Sequence, residues 1–369
     1  MTIAINLTNF VSGASKVHIC EQFERLAMSR PDDQFIFITT RNQKSESVPV
    51  ANITYITSGF SATSALLWKF WYSYRLPALA KKHKASVLVN TDGVCSLHTR
   101  LPQCLFVTDI AFINPASHLA GKHYKYLQKN TPQFLKKSAT TIVSTQSLQN
   151  KIAEYYNVSK DKLVIVPMSV SPLYKSLQWE EKEKVKDNFA DGREYFLFNG
   201  PTNNQGNIIN LLKAFSLFKK RQKSNMQLLI TTQQSMVKNG LTESLKNYKY
   251  RDEVKLLFSR PDIEVARITA AAYAFVYPVF IESFPVEPLQ AIQCETPVIA
   301  SDINILREIA GDAAVYINPE DVPGIAEKMM LLFKNESQRD ELINNGRSLV
   351  KEYQQANHVD LLWRAITSI

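Results

Sequence analysis

Residues 282–301 read Glu-Ser-Phe-Pro-Val-Glu-Pro-Leu-Gln-Ala-Ile-Gln-Cys-Glu-Thr-Pro-Val-Ile-Ala-Ser. The first residues suit a loop, and Pro288 suits the opening turn of a short helix. Cys294, Glu295 and Thr296 form a turn, and the apolar run from Pro297 to Ala300 reads as a buried strand. Glu282 stands just ahead of the helix, where free main-chain N–H groups attract anions. Loop, helix, turn and buried strand in this order indicate an α/β domain with a phosphate-type ligand at its strand ends.

The rest of the chain repeats that grammar. Apolar strands are expected at 3–7, 34–39, 87–90, 103–108, 139–144 and 163–167, then at 195–199, 227–231, 254–258, 274–279, 297–300 and 313–317. Helical spacing fits 17–28, 145–156, 208–221, 322–335, 337–356 and 358–369. Strands alternating with helices imply parallel doubly wound sheets. At 369 residues the chain exceeds one ordinary core. Two Rossmann-like domains are therefore expected, 1–172 and 173–369, facing across a cleft. A linker is expected near 169–176, beside a charged stretch at 175–192, and the terminal helix at about 357–369 is expected to return to the first domain.

Composition narrows the function. No apolar run reaches the ~20 residues that span a bilayer, and residues 2–7 lack the flanks of a signal peptide. A cytoplasmic protein is expected. Cys20, Cys95, Cys104 and Cys294 have no metal spacing, and the six histidines form no i, i+4 pair, so no metal is expected. The net charge of +9 is compatible with acidic ligands or an anionic membrane. Basic clusters such as Lys81-Lys82-His83-Lys84 also fit helix ends. No aromatic-interleaved basic segment points to nucleic acid.

Glu282 with the segment from Cys294 to Ser301 resembles the donor-site motif of glycosyltransferase family 4, the retaining GT-B enzymes. Further resemblances follow in order at 107–112, 139–144, 163–167, 196–200, 207–215 and 307–314. They imply a GT-B fold without a metal. They also imply transfer of a hexose, with retention, from a nucleotide-diphosphate sugar to a glycan or lipid-linked acceptor. Peripheral association with the inner face of a membrane is a further expectation.

The resemblance places catalytic roles at Asp109 and Glu282. It places donor contacts at Gly200, Asn203, Gln205, Gly206, Asn207, Ser283, Phe284 and Gln290, and acceptor-side positions at Gly13 and Thr108. Each has a plainer reading: Glu282 as a helix cap, Asp109 as a turn residue, Gly13 as a tight turn and Gln290 as an ordinary helix residue. Four family positions depart from the pattern. Thr108 stands for a His, Pro201 and Gly206 for an Arg and a Lys, and Gln290 for a second Glu. Departing diphosphate needs positive charge, and one lost donor typically costs on the order of 10²–10³ in rate. Either Asn203, Asn204, Gln205, Lys213 or Arg260 compensates, or the chain is a GT-B shell without catalysis that partners an active glycosyltransferase.

Overall fold

The computed structural model describes residues 1–8, 15–40, 50–58, 65–108, 110–113, 122–167, 170–202, 204–232, 245–280, 285–355 and 358–368. The chain separates into two compact units. The first comprises Met1–Ser169 with Asn357–Ile369, and the second comprises Val170–Ile281 with Pro285–Ala356.

The first unit is built on a seven-stranded sheet. Its strands are β1 (Thr2–Asn6), β2 (Gln34–Thr39), β3 (Ile53–Thr57), β4 (Val87–Asn90), β5 (Gln103–Val107), β6 (Thr140–Val143) and β7 (Leu163–Ile165). The order is β3-β2-β1-β4-β5-β6-β7, and every pairing is parallel. The inner strands are apolar on consecutive positions because helices cover both faces: Ile3, Ala4, Ile5, Phe35, Phe37 and Ile38 are wholly buried. β3 was not expected. Its Ile-Thr-Tyr-Ile-Thr lies on the sheet edge and is half exposed, so it lacks the apolar run of a central strand.

Two helical stretches of this unit are signalled in the sequence only by basic clusters at their ends, Lys122–Lys137 and the continuous run of Ala65–Phe70, Trp71–Arg75 and Leu76–Lys82. The middle piece of that run is a wide π-helical turn from which Trp71 and Tyr72 enter the core. Pro77 and Pro132 interrupt the two sequences, which hides the helical period. The helix Gln146–Tyr156 opens on Thr145, whose hydroxyl accepts from Leu148 N at 3.1 Å, and closes on Asn157 in the left-handed region. The terminal helix His358–Thr367 packs on Ser15–Ser29. Arg30 holds it through Asp360, at 3.0 Å, and through the face of Trp363.

The second unit carries a six-stranded parallel sheet of β8 (Tyr195–Asn199), β9 (Gln227–Thr232), β10 (Val254–Phe258), β11 (Ala274–Tyr277), β12 (Val298–Ser301) and β13 (Ala314–Ile317). Its order is β10-β9-β8-β11-β12-β13. Aromatic side chains fill its core. Phe218 meets Phe196 and Phe333 edge-on at 5.1 and 5.3 Å, and all but one of the three rings are fully buried. The charged stretch before β8 is the helix Trp179–Ala190, with Val185 and Ala190 buried and Lys186 paired to Glu183 and Glu194. The two units divide after Ser169, within the stretch expected to link them, and Ser171 and Tyr174 just beyond are buried. Gln293 donates to both of their carbonyls, at 3.2 and 2.6 Å.

Candidate functional site

Both sheets reverse direction beside their first strand. The switch lies between β1 and β4 in the first unit and between β8 and β11 in the second. Ligands of doubly wound sheets bind outside the carboxyl ends of the strands at such a switch.

In the second unit, β8 ends at Asn199 and the loop from Gly200 to Asn207 follows. A Cβ on Gly200 would sit 3.1 Å from both Phe198 and Tyr277, whose rings are stacked. A Cβ on Gly206 would sit 1.6 Å from the Pro201 carbonyl oxygen, so the loop closes on itself and leaves no room for a side chain there. Asn207 is left-handed, with φ 56°. Its amide donates to the carbonyls of Pro278 (2.8 Å) and Pro319 (2.6 Å), while Phe280 N donates to the Gln205 carbonyl (3.0 Å). The loop is thus tied to the end of β11, across the switch. With its amide turned to those carbonyls and its backbone left-handed, Asn207 makes no side-chain cap on the helix Ile208–Gln222. That helix presents a 15-residue dipole, positive end first, at the loop.

On the other side of this switch, Glu287 opens the helix Glu287–Gln293 and accepts from the Tyr277 hydroxyl at 3.3 Å. Burial, reinforced by Glu287, pushes the Tyr277 hydroxyl well above its ordinary range. Gln290 is only 4% exposed, so it offers almost no surface to a ribose in this conformation. Arg260 is engaged by Glu264 and by the ring of Phe189, and Lys213 is exposed on its helix. Asn203, Glu282, Ser283 and Phe284 lie outside the described residues.

In the first unit, Gly13 and Asp109 also lie outside the described residues. Thr108, half exposed after β5, is described. It lines a cavity of about 30 Å³ with Asp92, Gly93, Val107, Phe112, Leu127 and Thr131. Asp92 follows β4, and the Tyr72 hydroxyl donates to its Oδ2. Tyr72 receives the Asn6 amide at 3.5 Å, and Asn6 Oδ1 receives both the main chain and the hydroxyl of Thr8. Thr91 Oγ1 closes the group on the Asn6 carbonyl at 2.7 Å. Asn6, Thr8 and Thr91 are almost wholly buried, so a connected polar network sits at this switch. Burial pushes the Asp92 carboxyl up to about 7, against the opposing pull of the Val94 and Asp92 N–H groups. The sequence reading passed over Asp92. Its signal was the one that picked Asp109, an acid straight after an apolar strand.

Among the described residues, no group of three His, Cys, Asp or Glu side chains is placed to hold a cation. Burial pushes the Cys95 thiol up to about 12 and holds Cys104 and Cys294 higher still, as inert core thiols.

Residues 180–349 match the family model described as glycosyl transferases group 1. The O-antigen chain mannosyltransferase RfbU of Salmonella typhimurium is 29% identical over 311 residues, which is 83% of this chain and 80% of that protein. The solved structure of WaaG, a glycosyltransferase involved in lipopolysaccharide biosynthesis, superposes with a TM-score of 0.78 at 16% identity, covering 99% of each chain. Anabaena HepE in complex with UDP-glucose superposes with a TM-score of 0.77 at 12% identity, covering 99% of this chain and 98% of that one. The fold is therefore GT-B, and the group 1 match within the second unit, with the mannosyltransferase relative, supports a glycosyltransferase acting on glycans.

Proposed function

We propose that this chain is a retaining hexosyltransferase that moves a sugar, mannose by analogy with RfbU, from a nucleotide-diphosphate donor to a growing glycan or lipid-linked acceptor. The observation that carries the reading is the second unit's switch point. The segment matched to the group 1 model brings the loop from Gly200 to Asn207 and the open end of the helix Ile208–Gln222 to that switch. A diphosphate would meet main-chain N–H groups and the positive end of the helix dipole there. With Pro201 and Gly206 uncharged, those dipoles carry more of the load than a cation would let them. Glu282, Ser283, Phe284 and Asn203 complete the donor site in this reading, and Asp109, Thr108 and Gly13 face the acceptor. The alternative, a shell without catalysis that serves a partner glycosyltransferase, rests on the joint departures at Thr108, Pro201, Gly206 and Gln290.

Membrane attachment is part of the proposal. From Val48 to Ala153 the only acidic residues are Asp92 and Asp109. In the same stretch Leu67, Phe70 and Tyr74 are exposed between Lys69, Arg75, Lys81 and Lys82. Apolar and basic groups side by side suit the inner face of an anionic membrane. Among the described residues no helix is long and apolar enough to cross one.

Isothermal calorimetry with GDP-mannose, UDP-glucose and dTDP-glucose tests the donor reading. One of the three should bind at micromolar to millimolar Kd and raise the Tm by mass action. Absence of binding to all three at millimolar concentration rejects it.

A further inference from the structure

We propose that the cavity between Asp92 and Thr108 holds one hydroxyl group of a hexopyranoside acceptor, with Asp92 Oδ1 as the atom that accepts its hydrogen bond. The inference deepens the reading above by assigning acceptor recognition to a residue outside the motifs that carry that reading.

Three observations converge on Asp92. The first is direction. Thr8 donates to Asn6, Asn6 to Tyr72 and Tyr72 to Asp92, so each bond polarises the next toward the Asp92 carboxylate. The chain ends on Oδ2. Oδ1 is buried and accepts no well-formed hydrogen bond among the described residues, although the Val94 and Asp92 N–H groups act on the carboxylate. A buried carboxylate oxygen left bare costs free energy that a bound hydroxyl would recover. The second is space. About 30 Å³ fits one hydroxyl or one water, not a whole sugar ring. The lining then divides sensibly. Thr108 supplies a hydroxyl and Thr131 an oxygen whose proton goes to the Leu127 carbonyl, while Val107, Phe112 and Leu127 supply apolar contact for a ring's C–H face. The third is position. Asp92 lies at the carboxyl end of β4, beside the switch, and its partner Tyr72 comes from a π-helical turn, a distortion that recurs at functional sites.

The same geometry gives a pH signature. Among the described residues, the ionisable groups around Asp92 are Tyr72, Tyr126 on the helix Lys122–Lys137, and Cys95. Burial first, then the charges of Cys95 and Asp92, raise Tyr126, and burial raises Cys95 against the opposing pull of Lys137 and Lys162, so both stay protonated across the neutral range. Asp92 is thus the group among them that changes charge near pH 7. Above that pH it accepts a charge-assisted hydrogen bond; below it, it is a neutral acid.

The probe is methyl α-D-mannopyranoside, with methyl α-D-glucopyranoside and methyl α-D-galactopyranoside beside it, and binding is read by saturation-transfer NMR on the full chain. At least one glycoside should bind at pH 8, about tenfold more weakly at pH 6. Asp92→Asn should bind about tenfold more weakly at pH 8 and show no pH dependence. Thr108→Val, which leaves the Tyr72–Asp92 pair intact, should weaken binding several-fold while keeping the pH profile, and it carries the test if Asp92→Asn fails to fold. Equal affinity in wild type and Asp92→Asn, a flat wild-type pH profile, or no binding of any of the three glycosides at 50 mM overturns the proposal. The outcome is separable from donor binding. Nucleotide sugar bound without glycoside sinks this inference alone, and glycoside bound without nucleotide sugar sinks the donor reading alone.

Discussion

Replacing Gly206 by alanine adds one methyl group, and the loop after β8 has no place for it. The new Cβ would lie 1.6 Å from the Pro201 carbonyl oxygen, where ordinary contact begins near 3.4 Å. The obstacle is main chain, so no rotamer change relieves it, and the loop must open by close to 2 Å. Opening on that scale breaks the bonds that hold the loop shut, Phe280 N to the Gln205 carbonyl and the two from the Asn207 amide. At about 1 kcal/mol each, their loss amounts to roughly 2–3 kcal/mol. For a unit of this size each kcal/mol lowers Tm by about 2–4 °C, so the expected fall is about 5–10 °C by calorimetry or near-UV circular dichroism. Gly324→Ala is the control. Its Cβ would meet the Asp321 carboxylate at 2.4 Å, a side chain that can swing away at the cost of a helix cap, about 1 kcal/mol. Gly206→Lys, which restores the residue that the family resemblance expects, should be at least as unstable as the alanine variant and gain no affinity for nucleotide sugar. An alanine variant within 1 °C of wild type, or a lysine variant that binds nucleotide sugar more tightly, would refute this account of the loop.

Asp92 also sets a slope of stability against pH. Its carboxyl titrates near 7 in the folded chain and near 3.8 when unfolded. Between those values the folded state holds a proton that the unfolded state has released, so its contribution is full below about pH 4 and is lost as pH rises through 7. Asp92→Asn should therefore flatten the pH dependence of urea unfolding and stabilise the protein at pH 8 by on the order of 2 kcal/mol; an unchanged slope counts against the buried carboxyl. Phe218→Ala empties the junction of three aromatic rings in the second unit and should cost about 3–5 kcal/mol in the same assay, with less than 1 kcal/mol showing the site to be loosely packed.

The parts of this molecule that sequence made visible are those fixed by local chemistry. The strands of the second unit announce themselves because a parallel strand covered on both faces must be apolar at consecutive positions, as in Tyr195-Phe196-Leu197-Phe198. β3 meets no such demand at its exposed edge, and Trp179–Ala190 buries only a narrow stripe, so one passed unread and the other read as a charged excursion. Site residues follow the same division. Gly200, Gly206 and Asn207 are named by the family resemblance, yet what Gly206 does is set by a carbonyl five residues back that closes over it only once the loop has folded. Thr8, Asn6, Tyr72 and Asp92 are separated by as many as 66 and 20 positions along the bonds that join them, and no local pattern records that link.

The two switch points differ in what they offer a ligand. At the second, the side chains of Asn207 and Glu287 are spent on the protein itself, on the carbonyls of Pro278 and Pro319 and on the Tyr277 hydroxyl. Main chain and the helix dipole face a ligand there, which suits an anion. At the first, a buried relay ends on a carboxylate with one oxygen unspent among the described residues. A bare carboxylate oxygen repels phosphate and attracts a hydroxyl. Two sheets of one topology have thus been given opposite chemistry at the same place. If nucleotide sugar and glycoside were found to compete for a single site, that division of labour would be wrong however well each site bound its own probe.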